Sequence, residues 1–253
     1  MVLNLTPPFN PFQASPDDCL RYKTFTFPGG EPHITIKDCE LTGCHIHVST
    51  RLDSFQSFGY LMMAVDALKR MNIASFDLCI PYFPGARQDR VMVPGEPLTS
   101  KVLADLINQL GAKCVHIFDP HSSVTPALLS HVNDIPNHDF IGQCLGMLPP
   151  DIYLIAPDAG ASKKIHDLAA ALEIPGDRLI FCSKKRDVAT GKLSGFEVYA
   201  DDLYGKPCLL VDDICDGGGT FIGTAKALKA KNAGKLYLAV SHGIFNKGSE
   251  ELS

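Results

Sequence analysis

The sequence predicts an α/β protein built on mainly parallel sheets flanked by helices. Two observations carry this reading. Short apolar runs of strand length alternate with stretches of helical periodicity along most of the chain, which is the pattern of βα units. The glycine-rich and charged clusters fall at the carboxyl ends of those runs, where open parallel sheets bind ligands. Repeated βα alternation also places helices on both faces of the sheet.

Taken in order, residues 1–26 are proline-rich and weakly patterned, and read as an irregular arm. Phe27-Pro-Gly-Gly-Glu31 is a turn by composition. Residues 33–37 and 44–49 alternate like the strands of a hairpin or meander. From 54 to about 71, Phe55, Phe58, Leu61, Met62, Val65 and Leu68 recur at helical spacing. That spacing predicts a core-facing stripe, with Asp53 or Ser54 as N-cap. A strand at 76–80 delivers the loop P-Y-F-P-G-A-R-Q-D-R at 81–90. Thr99 or Ser100 caps a helix to about 110, and a strand at 114–118 leads into Asp119-Pro-His121. Met147-Leu-Pro-Pro150 reads as a linker.

The alternation resumes with a strand at 152–156, a helix at 162–172, a strand at 179–182 and a charged stretch at 184–187. Residues 198–206 read as a linker-like approach to a buried strand at 208–211. Asp212 and Asp213 stand at its end, followed by Asp216, Gly217, Gly218, Gly219 and Thr220. A helical pattern then runs to about 231, and a last strand covers 235–241. Glycines let a backbone approach a phosphate closely, and a helix start favours an anion. Paired carboxylates can accept from sugar hydroxyls or hold a metal ion. Neither G-x-x-x-x-G-K-[ST] nor G-x-G-x-x-G fits this stretch.

Bulk properties exclude several classes. The 253 residues carry a formal charge of −5, with 45% hydrophobic and 20% charged residues. That describes a globular protein with material for a core and argues against a nucleic-acid surface. No apolar run has the length of a membrane span, and the proline-broken N-terminus lacks a secretory n-region. Nine dispersed cysteines without a C-x-x-C pair fit a reducing cytoplasm. Cys39, Cys44, His45 and His47 are close in sequence. Strand alternation puts His45 and His47 on one face and Cys44 on the other, which disfavours a zinc site made of these four.

Residues 206–224 resemble the phosphoribosyl-diphosphate loop of the type I phosphoribosyltransferase fold, whose two acids bind ribose hydroxyls. Residues 81–90 are similar to the signature of ribose-phosphate diphosphokinases, or phosphoribosyl-diphosphate synthetases, which ordinary phosphoribosyltransferases lack. The resemblance runs from about Phe27 to Asn246. It implies two tandem phosphoribosyltransferase-like domains: residues 1–147 with the ATP motif, and 148–253 with the ribose-phosphate loop. Similar synthetases continue with further strand and helix, so the second domain is expected to be incomplete at its C-terminal end.

The resemblance also implies roles. Phe27, Glu31, Arg87, Gln88 and His121 would bind ATP, with His121 beside a magnesium ion. Asp158, in Ala156-Pro-Asp-Ala-Gly160, would serve Mg²⁺. Lys184 and Arg186 would offset charge from a mobile catalytic loop. Asp212 and Asp213 would hold the ribose hydroxyls, and Asp216 to Thr220 the 5-phosphate. Three departures stand out: Gly29 where the family has Asp, Ala161 where it has Gly, and Gly217 where it usually has Thr.

The implied reaction is Mg-dependent diphosphate transfer from ATP to the anomeric hydroxyl of ribose 5-phosphate, releasing AMP. Three alternatives stay open: the same transfer to a substituted acceptor such as ADP-ribose, a phosphoribosyltransferase, or a non-catalytic regulatory paralogue. The partners expected are small-molecule substrates, with no nucleic acid and no membrane, in a cytoplasmic homo-oligomer.

Overall fold

The computed structural model describes residues 1–37, 39–186 and 193–252. It forms two compact units, Met1–Ile135 and Pro136–Ser253.

Unit 1 contains β1 (Val2–Asn4), β2 (Tyr22–Thr26), β3 (Pro32–Ile36), β4 (His45–Ser49), α1 (Phe55–Arg70), β5 (Ser75–Cys79), α2 (Thr99–Leu110), β6 (Cys114–Phe118), α3 (Val124–Leu128) and β7 (Val132–Ile135). Five strands make a parallel sheet in the order β1-β4-β5-β6-β7. The order never reverses, so right-handed crossovers carry the connecting helices to one face. Side chains alternate across that sheet. Ile46, Val48, Phe76, Leu78, Val115 and Ile117 are buried in one core with Leu61, Leu68 and Ile107 of the helices. The residues between them, His45, His47, Ser75, Asp77, Cys114 and His116, are only half-buried. The expectation of helices on both faces fails in this unit because its topology has no reversal.

Helix α1 starts where expected. Ser54 Oγ accepts from the Ser57 amide at 3.1 Å, and Ser57 Oγ accepts from the Ser54 amide at 3.1 Å, a reciprocal cap. Its apolar stripe is narrower than the spacing predicts. Phe55, in the first turn, is 85% exposed and Met62 is 38% exposed. The first 26 residues are not an irregular arm: Val2 and Leu3 are buried, and β1 adds to the sheet edge beside β4. Strand β3 pairs antiparallel with β2, not with the 44–49 strand.

Unit 2 contains α4 (His138–Gly146), β8 (Tyr153–Ala156), α5 (Ala159–Ala171), β9 (Leu179–Arg186), β10 (Leu193–Val198), β11 (Cys208–Cys215), α6 (Gly219–Ala230) and β12 (Leu236–Gly243). Ile141 of α4 is fully buried in this unit's core, which is why the compact units divide at Ile135–Pro136. The sheet runs β10-β9-β8-β11-β12, parallel except for the β9–β10 hairpin. Strand β10 ends at Val198, where the linker-like stretch at 198–206 was expected to begin, and forms one sheet edge.

Here the order does reverse. The chain steps from β8 through α5 to β9, then returns across β8 to β11 and steps outward through α6 to β12. Right-handed crossovers in opposite directions place α5 and α6 on opposite faces. Two cores confirm the arrangement: Leu154, Leu209 and Val211 pack with Ile165 and Leu168 of α5, while Ile155, Leu210 and Cys215 pack with Phe221 and Leu228 of α6. The reversal lies between β8 and β11, and a crevice opens outside the carboxyl ends of strands at such a point.

No described helix is long and apolar enough to cross a membrane. The nine cysteines are free, and Cys79, Cys182, Cys208 and Cys215 are buried. Burial pushes the Cys182 thiol up to about 12, with Cys208 adding to it.

Candidate active site

Strand β8 stops at Ala156, and Pro157 hands the chain to Asp158. This residue is extended (φ −156°), and its Oδ1 accepts from the Ala161 amide at 3.1 Å, capping α5. A carboxylate at a helix start is favoured by the helix dipole. The other oxygen, Oδ2, meets Lys184 Nζ at 2.5 Å. That same Nζ donates to Thr220 Oγ1 at 3.3 Å. One lysine therefore ties the end of β8 and the start of α6 to β9. Lys184 was expected on a mobile loop, but it lies within β9, which runs through to Arg186. The backbone of Arg186 closes that strand, and its side chain lies outside the described residues.

The two acids of β11 are not at its end. The strand continues through both to Cys215 because its pairing with β12 continues to Cys215 opposite Gly243. Pairing with β8 stops earlier, at Leu210 opposite Ile155. Asp212 and Asp213 thus occupy the stretch of β11 that projects beyond β8. Asp213 is buried, and its Oδ2 pairs with Lys164 Nζ at 3.3 Å. Asp212 Oδ1 accepts from the Asp213 amide at 2.9 Å. Burial first, then the carboxylates of Asp213 and Asp158, push the Asp212 carboxyl up to about 8. This group is short of positive charge and is a natural place for a cation or a hydrogen-bond donor.

Beyond β11 the chain turns at Gly218, which has φ +74° and is the N-cap of α6. Only glycine adopts that conformation without steric cost. Backbone bonds brace the turn: Ile244 N donates to Cys215 O at 2.8 Å and Asn246 N donates to Asp216 O at 3.2 Å. The first amides of α6 have no acceptor within the helix, so this helix start, beside Lys184, has the chemistry to receive an anion.

In unit 1 the loop after β5 is folded against α2. Ser100 Oγ donates to Gly85 O at 2.8 Å and to Gln88 O at 3.0 Å, while Phe83 and Ala86 are buried. Arg87 and Gln88 are left exposed. Between them and Arg90, Asp89 is buried. The Arg90 guanidinium holds the Asp89 carboxyl down to about 2, with Ser122 and His121 contributing. Asp89 therefore links the 81–90 loop to the segment after β6 that carries exposed His121. Asp119 opens that segment at φ 41°, a conformation uncommon for a residue with a side chain. Phe27 and Glu31 lie elsewhere, at the tip of the β2–β3 hairpin, where Glu31 O accepts from the Phe27 amide at 2.9 Å. Phe27 packs edge-on against Phe25 and His33.

Residues 18–111 match the N-terminal domain of ribose phosphate pyrophosphokinase, and residues 150–252 match the phosphoribosyl transferase domain. A ribose-phosphate pyrophosphokinase of Mycoplasma genitalium is 33% identical over 233 residues, covering 89% of this chain and 68% of the relative. The chain belongs to the ribose-phosphate pyrophosphokinase family. The Aquifex aeolicus member is 32% identical over 228 residues, covering 87% of this chain and 71% of its own. A phosphoribosylpyrophosphate synthetase from Mycobacterium smegmatis superposes with a TM-score of 0.79 at 24% identity, covering 92% of this chain and 76% of that one. This likeness shows that the two-unit α/β architecture is the fold of that synthetase.

The sequence did not point to Lys164 or to the burial of Asp89. Lys164 falls on the apolar stripe of α5 with Ala161, Ile165 and Leu168, and a lysine in such a register is the signal that would have found it. Asp89 belongs to the R-Q-D-R motif at 87–90. Its burial follows from the fold of the 81–90 loop, which local pattern does not report.

Proposed function

We propose that the protein transfers diphosphate from ATP to the anomeric hydroxyl of ribose 5-phosphate, giving phosphoribosyl diphosphate and AMP. Family membership supports the reaction. The observation that carries it to particular residues is the bridge from Lys184 to Asp158 at 2.5 Å and Thr220 at 3.3 Å, beside Asp212 and Asp213. In this reading unit 2 is the ribose-phosphate domain. Asp212 and Asp213 accept from the ribose hydroxyls, and Asp216 to Thr220 with the start of α6 take the 5-phosphate. Unit 1 is the nucleotide domain, with Arg87, Gln88 and His121 on ATP and Phe27 and Glu31 at the adenine.

The anomeric oxygen forms a bond to the β-phosphorus. The bond from that phosphorus to the α–β bridging oxygen breaks, AMP leaves with the electron pair, and the hydroxyl proton passes to solvent. Such transfers need positioning and charge compensation more than covalent help. Lys184 is placed to move from Asp158 to the transferring group. Arg186, at the end of β9, is its second cation. An oxygen donor such as the Asp158 carboxylate suits Mg²⁺. Asp158 would hold that ion in unit 2 and His121 would face a nucleotide-bound one in unit 1. Bound there, Mg²⁺ would neutralise phosphate charge.

A second reading keeps the chemistry and lengthens the acceptor to a 5-phosphate-substituted ribose such as ADP-ribose. The side-chain-free run Gly217 to Gly219 favours it. Against it, a Cβ at 217 would lie 3.3 Å from Asn246 Oδ1 and 3.6 Å from Lys247 Cε, so part of that room is already taken. The test is AMP release with each acceptor at equal concentration, following product masses. Ribose 5-phosphate should be preferred at least tenfold in kcat/KM, about 1.4 kcal/mol. Preference for ADP-ribose would establish the second reading, and AMP release with neither would overturn both. We further propose a homo-oligomer, to be checked by sedimentation over a wide concentration range.

A further inference from the structure

We propose that the polar face of the unit 1 sheet carries a second metal site, for Zn²⁺ or another borderline transition metal, formed by His45, His47 and Asp77. One ligand atom from each residue lies within 4.8 Å of the others. The register explains the cluster. His45 is opposite Ser75, and His47 is opposite Asp77, so the side chains emerge side by side on the face that the helices leave uncovered. Two imidazoles and one carboxylate form the donor set of many zinc centres. Hard cations such as Mg²⁺ prefer oxygen, so this site and the carboxylates of unit 2 select different ions.

The contacts around the cluster suit a bound cation. His45 Nε2 lies 3.1 Å from Asp77 Oδ2, and its other nitrogen is oriented by Ser75 Oγ at 2.7 Å, as the outer partner of a metal-bound histidine would do. His47 Nδ1 lies 3.7 Å from the same Oδ2. Both His47 Nδ1 and Asp77 Oδ1 are buried atoms without a hydrogen-bond partner. A buried polar atom left so is costly, and a shared cation would satisfy both at once. His116 faces the group from β6, its Nε2 4.0 Å from Asp77 Oδ2 while Nδ1 meets Asn133 Nδ2 at 3.0 Å. It is positioned as a fourth ligand or as a partner to a bound water. Phe12 packs on the His47 ring at 4.9 Å between centroids and shields that side. A bound ion would tie β4 to β5, away from the carboxyl-end loops at 81–90 and 119–121.

The test is a zinc titration of the full chain, freed of metal by chelation, in the presence of saturating Mg²⁺. It uses the wild type, His47→Gln, His45→Gln, and a His121→Ala/Asp158→Asn double variant lacking the ligands assigned to Mg²⁺. One Zn²⁺ per chain should bind to the wild type and equally to the double variant. Affinity should fall at least about a hundredfold in either glutamine variant. X-ray absorption at the zinc edge should show at least two imidazole nitrogens, and bound Zn²⁺ should raise the melting temperature of the wild type but not of His47→Gln. His47→Gln is the decisive variant because it breaks no hydrogen bond of the apo network, so its fold and turnover should be unchanged. No bound zinc, zinc lost only in the double variant, or zinc indifferent to His47→Gln would each overturn the proposal.

Discussion

In unit 2 the strand order reverses between β8 and β11 and both sheet faces are apolar; in unit 1 the order never reverses and one face is polar. The reversal leaves Asp158 and the acids of β11 near the carboxyl ends of β8 and β11, where a crevice forms at such a point. Lacking a reversal, unit 1 carries its candidate groups on the loops after β5 and β6, linked by the buried Asp89. Two sheets of the same βα grammar thus support different kinds of site. Unit 2 crowds Asp158, Asp212 and Asp213 with Lys184 and Lys164, whereas unit 1 offers a braced loop with exposed Arg87 and Gln88.

The contrast is broken most directly at Lys184. Lys184→Ala should lower kcat by about 10²–10³ while the affinity for ATP changes little, since the role proposed for the lysine is to act on charge that develops in transfer. Stopped-flow and nucleotide titrations read the two quantities. Unchanged kcat would reduce the bridge to a structural ion pair. Asp213→Asn comes next, with loss of a charge-assisted hydrogen bond worth about 1.5–3 kcal/mol in kcat/KM for the acceptor. In unit 1, Asp89→Asn removes the anchor of the 81–90 loop. It should raise the KM for ATP several-fold without altering the KM for the acceptor, and an equal rise in both would blur the division.

A smaller effect separates the units by pH. The carboxyl of Asp212 is raised from 3.8 to about 8 in the folded protein. The native state then binds more protons than the unfolded chain in that interval, so the Asp212 contribution falls as pH rises from about 4 to about 8. Asp89 has the opposite sign. Its carboxyl is lowered to about 2, so its contribution is present above about 4 and is lost as pH falls toward 2. Asp212→Asn should therefore raise the melting temperature of the ligand-free protein by about 2 °C or more at pH 8 and leave it unchanged near pH 4. A shift that is the same at both values would show that the substitution acts through packing. Phe55→Ser should do least of all, within about 0.5 kcal/mol, because that ring is 85% exposed.

Much of this was legible in the sequence, where period and position act locally. The spacing of Phe58, Leu61, Val65 and Leu68 gave α1 and its buried face. The strand at 114–118 and the glycine turn before α6 were equally plain. What escaped depends on pairing. Val2–Asn4 is a strand only because β4 offers an edge, and β9 extends through Lys184 because β10 folds back beside it. Asp212 and Asp213 looked like the end of a strand because the pattern does not reveal that β12 continues past β8. The same limit hid Asp77. Alternation put His45 and His47 on one face, but their third neighbour comes from the adjacent strand, and only the register of β4 with β5 brings it there.

The division of labour between the units is tested most directly by calorimetry on two variants, each titrated with ribose 5-phosphate and with a non-transferable ATP analogue. Arg87→Ala should lose at least tenfold in nucleotide affinity, about 1.4 kcal/mol, and bind ribose 5-phosphate as the wild type does. Asp213→Asn should do the reverse. Loss of nucleotide affinity in Asp213→Asn with ribose 5-phosphate binding intact, or no change in either variant, would contradict the assignment of the acceptor to unit 2 and ATP to unit 1.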